Sequence, residues 1–193
     1  MSRYLLFLHG FEGSSTSYKG QCIRRYLAAH DPDIQLLLPQ LACYPQPMWL
    51  QIQEILNSFS GQLIGIVGAS LGGLLAARTA IESHLPAVLI NPLSDLDGLS
   101  GWLGERVHPF TAERYRLQPT HLQQLAELMI SPQESSHRHW LMLQTGDEVL
   151  DFRQALQAHP QARRTIECGG EHGFSGFHRY VPAMIRFLLD NKE

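Results

Sequence analysis

Short apolar runs alternate along the chain with longer stretches in which apolar residues recur every three or four positions. Six runs read as strands: residues 4–8, 34–38, 63–67, 87–90, 140–144 and 165–168. They show little period-two alternation, as expected of strands covered on both faces. Helix-period segments lie between them. Cys22, Ile23, Tyr26 and Leu27 form one apolar stripe, preceded by N-cap candidates in Ser14, Ser15, Thr16 and Ser17. Ile52, Ile55, Leu56 and Phe59 form a second stripe. The segment after Ser70 is apolar nearly all round, which predicts a buried helix. Phe177, Val181, Met184, Ile185 and Leu188 line one side of a last helix. This alternation predicts an α/β fold, a parallel sheet of about six strands flanked by helices. The right-handed crossover rule orders the strands 2-1-3-4-5-6.

One stretch breaks the rhythm. Residues 93–136 contain no predicted strand, only polar residues interleaved with Trp102, Phe110 and Tyr115 and a predicted helix near residues 120–130. Structureless connections beyond about 12–15 residues are uncommon inside a domain and are usually functional or disordered. The aromatics and the spacing of Leu117, Leu122, Leu125 and Leu128 argue for order. The expectation is a small helical cap, inserted after the fourth strand of a single domain spanning residues 1–193.

Composition narrows the field. With 44% apolar and 17% charged residues over 193 positions, the chain can build a proper core. No apolar run approaches the length of a membrane helix, and the N-terminal run is too short for a signal peptide. A formal charge of −3 argues against a nucleic-acid surface, and the pairs Arg24-Arg25 and Arg163-Arg164 read as solvated faces. Three scattered cysteines suggest neither zinc nor a disulfide framework. The expected setting is cytoplasmic, without nucleic-acid or membrane partners.

Candidate chemistry centres on GASLGG, residues 68–73. A predicted strand ends just before it and a helix opens just after it. That is the setting of a nucleophile elbow, where a serine sits on a sharp turn and the residues two before and two after must be small. Gly68 and Gly72 satisfy the requirement around Ser70, and Gly73 allows close packing. The helix start brings the Leu71 N–H and the positive end of the dipole beside a developing oxyanion. Serine needs a base held by a third group. In this architecture the chain order is serine, acid, histidine, with all three beyond the carboxyl ends of strands. Asp147 is the first carboxylate after the fifth strand, and His172 lies in the glycine-rich loop after the sixth. Asp151 suits the N-cap of a helix starting near Phe152 better than it suits the acid's role. Glu148 reads as solvated. In the loop after the first strand, Gly10 permits a tight turn and the Phe11 N–H is the second oxyanion donor, with His9 orienting the loop.

The segments HGF, GASLGG, TGDEVLD and GGEHGF resemble the α/β-hydrolase superfamily and, more narrowly, the YqiA-type small bacterial esterases. The resemblance runs through nearly the whole chain, including Asn91-Pro92 and the Leu103-Gly104, Pro109-Phe110-Thr111 and Tyr115 pattern. It implies serine-dependent hydrolysis of small acyl esters, with thioesters such as acyl-CoA as further substrates. No metal or organic cofactor is required. Where the family mostly carries Asn before the catalytic His, this chain has Glu171, a carboxylate expected to raise the His172 pKa.

The same residues admit other readings. The same triad serves amidases, peptidases and C–C hydrolases, and a hydrolase-like fold can also act as a non-catalytic small-ligand module. Trp102, Phe110 and Tyr115 are either acyl-pocket walls or the cap's own core. Cys168 is expected to be an inert buried thiol. His137, His139 and His178 are expected at the surface, not as metal ligands.

Overall fold

The computed structural model describes residues 2–97 and 99–192. The chain runs β1 (Arg3–Leu8), α1 (Tyr18–His30), β2 (Ile34–Leu37), α2 (Pro45–Ser58), β3 (Leu63–Ala69), α3 (Leu71–Ser83) and β4 (Ala87–Ile90). It continues through β5 (Gly104–Val107), β6 (Arg114–Leu117), α4 (Pro119–Leu128), β7 (His139–Gln144), α5 (Phe152–Ala158), β8 (Arg163–Glu167) and α6 (Val181–Asp190). Six strands form a parallel sheet in the order β2-β1-β3-β4-β7-β8, the order expected from the sequence.

β3 and β4 are buried at every position, because helices cover both faces of the sheet. One face packs Leu6, Leu8, Ile66 and Leu89 against Ile52, Leu75 and Ala76. The other packs Phe7, Val67 and Ile90 against Ile23, Met184, Ile185 and Leu188. Removing this apolar area from water, at about 25 cal/mol per Å², is the main force holding the layers together. Among the described residues no helix is long and apolar enough to cross a membrane.

Several expectations are corrected. Residues 104–107 and 114–117 form an antiparallel hairpin, in a stretch predicted to contain no strand. In β6, Tyr115 and Leu117 point inward while Arg114 and Arg116 point out. That alternation was legible, but four residues of it did not outweigh the charge. β8 begins at Arg163 rather than at Thr165, since its backbone already pairs with Trp140 and Leu141 of β7, and the Arg163 guanidinium lies 4.2 Å over the Trp140 ring. Ser17 occupies the N-cap of α1 without a capping bond from its side chain. Cys168 is exposed, not buried. His139 is buried, only 1% exposed, because it opens a strand flanked on both sides.

Candidate active site

The site is assembled where β1, β3, β7 and β8 release their chains. Ser70 follows β3 directly and opens α3 with φ +55° and ψ −124°, a strained conformation for a residue with a side chain. Sterics make the turn possible. A Cβ on Gly68 would collide with the Gly72 carbonyl, and one on Gly72 would collide with the Leu8 carbonyl. A Cβ on Gly73 would come within 2.6 Å of Pro92 Cβ. The small residues flanking Ser70 are therefore required by close approach of backbone to backbone.

The structure brings Ser70, His172 and Asp147 together. Ser70 Oγ is 3.0 Å from His172 Nε2. His172 Nδ1 lies 2.8 Å and 3.0 Å from the two oxygens of Asp147. A carboxylate facing Nδ1 fixes the proton on that nitrogen and leaves the Nε2 lone pair for the serine hydroxyl. Burial pushes the Asp147 carboxyl up, but three opposing contacts outweigh it. The His172 hydrogen bond and the N–H groups of Leu150 and Val149, each 2.9 Å from Oδ1, bring it below the ordinary Asp value. Asp147 is thus an ionised side chain only 2% exposed. Asp151, its rival, accepts from the Arg153 N–H at 3.0 Å and caps α5.

The two expected oxyanion donors flank Ser70. Leu71 is the first residue of α3, where N–H groups have no partner inside the helix. Gly10 lies against the serine, since a Cβ there would be 3.1 Å from Ser70 Cβ. The N–H of the next residue, Phe11, meets no acceptor among the described residues. His9 secures this loop: its Nε2 accepts from the Leu41 N–H at 3.0 Å, so Nδ1 carries the proton and donates to the Gly10 carbonyl at 2.9 Å. Burial pushes its pKa down, which favours this neutral form.

Glu12 was not singled out from sequence, yet it ties the β1 loop to the hairpin. Arg106 Nε and Nη2 donate to its two oxygens at 2.7 and 3.0 Å, and the Tyr115 hydroxyl donates to Oε1 at 2.7 Å. The Arg106 guanidinium holds the Glu12 carboxyl below its ordinary range. Phe11 stacks on Trp102 with ring centroids 3.9 Å apart. Trp102 also lines a narrow apolar cleft with Phe11, Met48, Leu71, Leu122 and Leu125. Of the three expected pocket residues only Trp102 borders this cleft. Tyr115 is buried on Glu12, and Phe110 is 64% exposed because it sits in the turn between β5 and β6. Larger cavities lie elsewhere, one at the amino ends of the strands beside Leu63 and Gly61 and one between α2 and α4.

Two more residues gained meaning only in three dimensions. Asn91 and Gln144, both buried at strand ends, hydrogen-bond the backbone of the His172 loop. Their sequence signal is a polar residue closing an apolar strand. Glu148 is exposed, as expected, but its carboxylate also takes the His172 N–H at 2.9 Å. Glu171 does not hydrogen-bond the imidazole; its carboxylate accepts from the Ser175 hydroxyl at 2.9 Å.

Comparison with known proteins adds context. The sequence matches the Uncharacterised protein family (UPF0227) over residues 4–189. Among solved structures, Est1E from Butyrivibrio proteoclasticus aligns with a TM-score of 0.72 at 12% identity, covering 98% of this chain and 88% of that one. A monoacylglycerol lipase from Paleococcus ferrophilus aligns at 0.69 and 12% identity, covering 98% and 95%. A meta-cleavage product hydrolase from Pseudomonas fluorescens aligns at 0.67 and 13%, covering 98% and 91%. At these identities the likeness lies in the fold.

Proposed function

The chain belongs to the UPF0227 family and has an α/β-hydrolase fold, and on that footing we propose that it is a serine carboxylesterase acting on short-to-medium acyl esters, with acyl thioesters as further substrates. The observation that carries this reading is the relay from Ser70 Oγ through His172 to buried, ionised Asp147. Ser70 attacks the acyl carbonyl while His172 Nε2 takes its proton. Asp147 holds the ring in the required tautomer and stabilises the imidazolium. The oxyanion is received by the N–H groups of Phe11 and Leu71, each contributing about 3 kcal/mol if they match side-chain donors. His172 then returns the proton to the departing alkoxide or thiolate. Water repeats the sequence on the acyl-enzyme.

The residue 93–136 segment acts as a cap, and the cleft along Trp102, Leu122 and Leu125 receives the acyl group. Its walls are apolar, which favours an uncharged acyl chain over a charged one.

The test is hydrolysis of p-nitrophenyl butyrate by wild type and Ser70→Ala in parallel. The expected loss is about 10⁴-fold or more in kcat. Equal activity in the two proteins would remove Ser70 from the mechanism. A wild type that neither turns over nor is labelled by an organophosphonate would identify a binding module. Labelling without ester turnover would redirect the search to amides and C–C bonds.

A further inference from the structure

The segment from Ile90 to Leu93, where the chain leaves β4, grips both Ser70 and the His172 loop. The Ser70 N–H donates to the Ile90 carbonyl at 3.0 Å, and the Leu93 N–H donates to the Ser70 carbonyl at 2.9 Å. Between these contacts stands Asn91, only 3% exposed and at φ +38°, a region that Asn tolerates better than most residues with a side chain. Its Nδ2 donates to the carbonyls of Glu171 and His172, both at 3.1 Å, while Oδ1 accepts from the Gln144 N–H at 3.0 Å. The amide's orientation is forced, because two acceptors face Nδ2 and a donor faces Oδ1.

The loop needs such support. No strand or helix covers residues 168–176, so their buried backbone groups require partners from elsewhere. Gln144 supplies three of them: Oε1 accepts from the N–H groups of Glu171 and Ser175, and Nε2 donates to the Ser175 carbonyl, as well as to the Glu167 carboxylate in β8. Asn91 differs from Gln144 in one respect. It alone contacts His172 itself while belonging to the segment that fastens Ser70.

We propose that Asn91 is a positioning residue for the hydrolysis assigned above: it sets the height of the His172 main chain, and so the meeting of Nε2 with Ser70 Oγ. This inference rests on the serine-hydrolase reading. Ser70 is held through main-chain bonds of Ile90 and Leu93, so removal of the Asn91 side chain frees the carbonyl side of the His172 main chain, with Glu148 still on its N–H, and leaves the nucleophile in register. A shift of roughly 1 Å between reacting groups costs on the order of 10²-fold in rate.

Asn91→Gly tests this directly, since glycine keeps the positive φ and deletes the amide. Asn91→Asp is the second variant, turning an oxygen toward two carbonyls. Circular dichroism and melting establish that each is folded. Both should lose about 100-fold in kcat for p-nitrophenyl butyrate while KM stays within about threefold. Both should also lose the downfield proton resonance of the charge-assisted His172 Nδ1–H bond, which wild type should show. A folded variant with wild-type kcat and an unchanged resonance overturns the proposal. So does failure of both variants to fold, which would assign Asn91 to stability instead. The two readings stay separable: an inactive, unlabelled wild type sinks the hydrolase, while the resonance still reports whether Asn91 places His172.

Discussion

Buried polar side chains collect at both ends of the sheet, and they are treated differently. At the carboxyl end, Asn91 and Gln144 have partners for both their oxygens and their amide groups. At the amino end, His139 and His159 lie with ring centroids 6.0 Å apart, and the Nδ1 of each has no partner among the described residues. Burial pushes both pKa values down to about 4, aided at His159 by the His139 charge. The difference teaches that burial of a polar group does not by itself mark function. A satisfied network fixes geometry, whereas an orphaned imidazole leaves only a cost when it becomes charged.

The comparison sharpens most at Asp147. Asp147→Asn should leave the carboxyl end folded and reduce kcat by about 10⁴-fold, because the wrong His172 tautomer is favoured. Steady-state kinetics with a melting curve decides this; a loss below about tenfold would detach Asp147 from the relay.

The amino end should respond to acid instead. In the unfolded chain each histidine titrates near 6.5, and in the folded protein near 4. As pH falls from about 6.5 to 4 the unfolded state binds protons first, so stability drops through that window. The loss is about 3 kcal/mol per histidine, and the native protein keeps the full contribution above pH 6.5. His139→Leu combined with His159→Leu should flatten the denaturation midpoint between pH 4 and 6.5. An unchanged acid limb would break the contrast between the two ends.

Two smaller effects probe residues 93–136. Arg106→Gln leaves the Glu12 carboxylate partly buried without its cation, and should cost about 1–2 kcal/mol in chemical denaturation. Phe110→Ser, in an exposed turn, should change stability by less than about 0.5 kcal/mol and leave ester turnover as it was. A marked loss of activity there would restore Phe110 to the pocket.

Legibility followed the physics of each region. The sheet and its order could be read because strands buried on both faces must be apolar throughout, and 63–67 and 87–90 announce themselves that way. Ser70, Asp147 and His172 could be named because the fold delivers three strand ends to one edge, whatever separates them in the chain. The hairpin of β5 and β6 was missed because half of its residues face solvent and carry charge. Whether Trp102, Phe110 and Tyr115 line a cleft or build the cap's own core could not be read, since aromatic character says nothing about direction: Trp102 borders a cleft, Tyr115 is buried and Phe110 faces solvent.

What the sequence determined by itself is thus the layered parallel sheet, the glycines that allow the Ser70 turn, and the meeting of Ser70, His172 and Asp147 at one edge. These follow from local rules: periodicity, sterics at Gly68 and Gly72, and the order of strand ends. What only tertiary structure decided is the set of contacts between distant segments. The Asn91 grip on His172, the Glu12–Arg106 tie and the burial of His139 each join residues with no pattern in common along the chain. Their roles arise from which groups burial leaves in need of a partner, and that is settled only when the chain has packed.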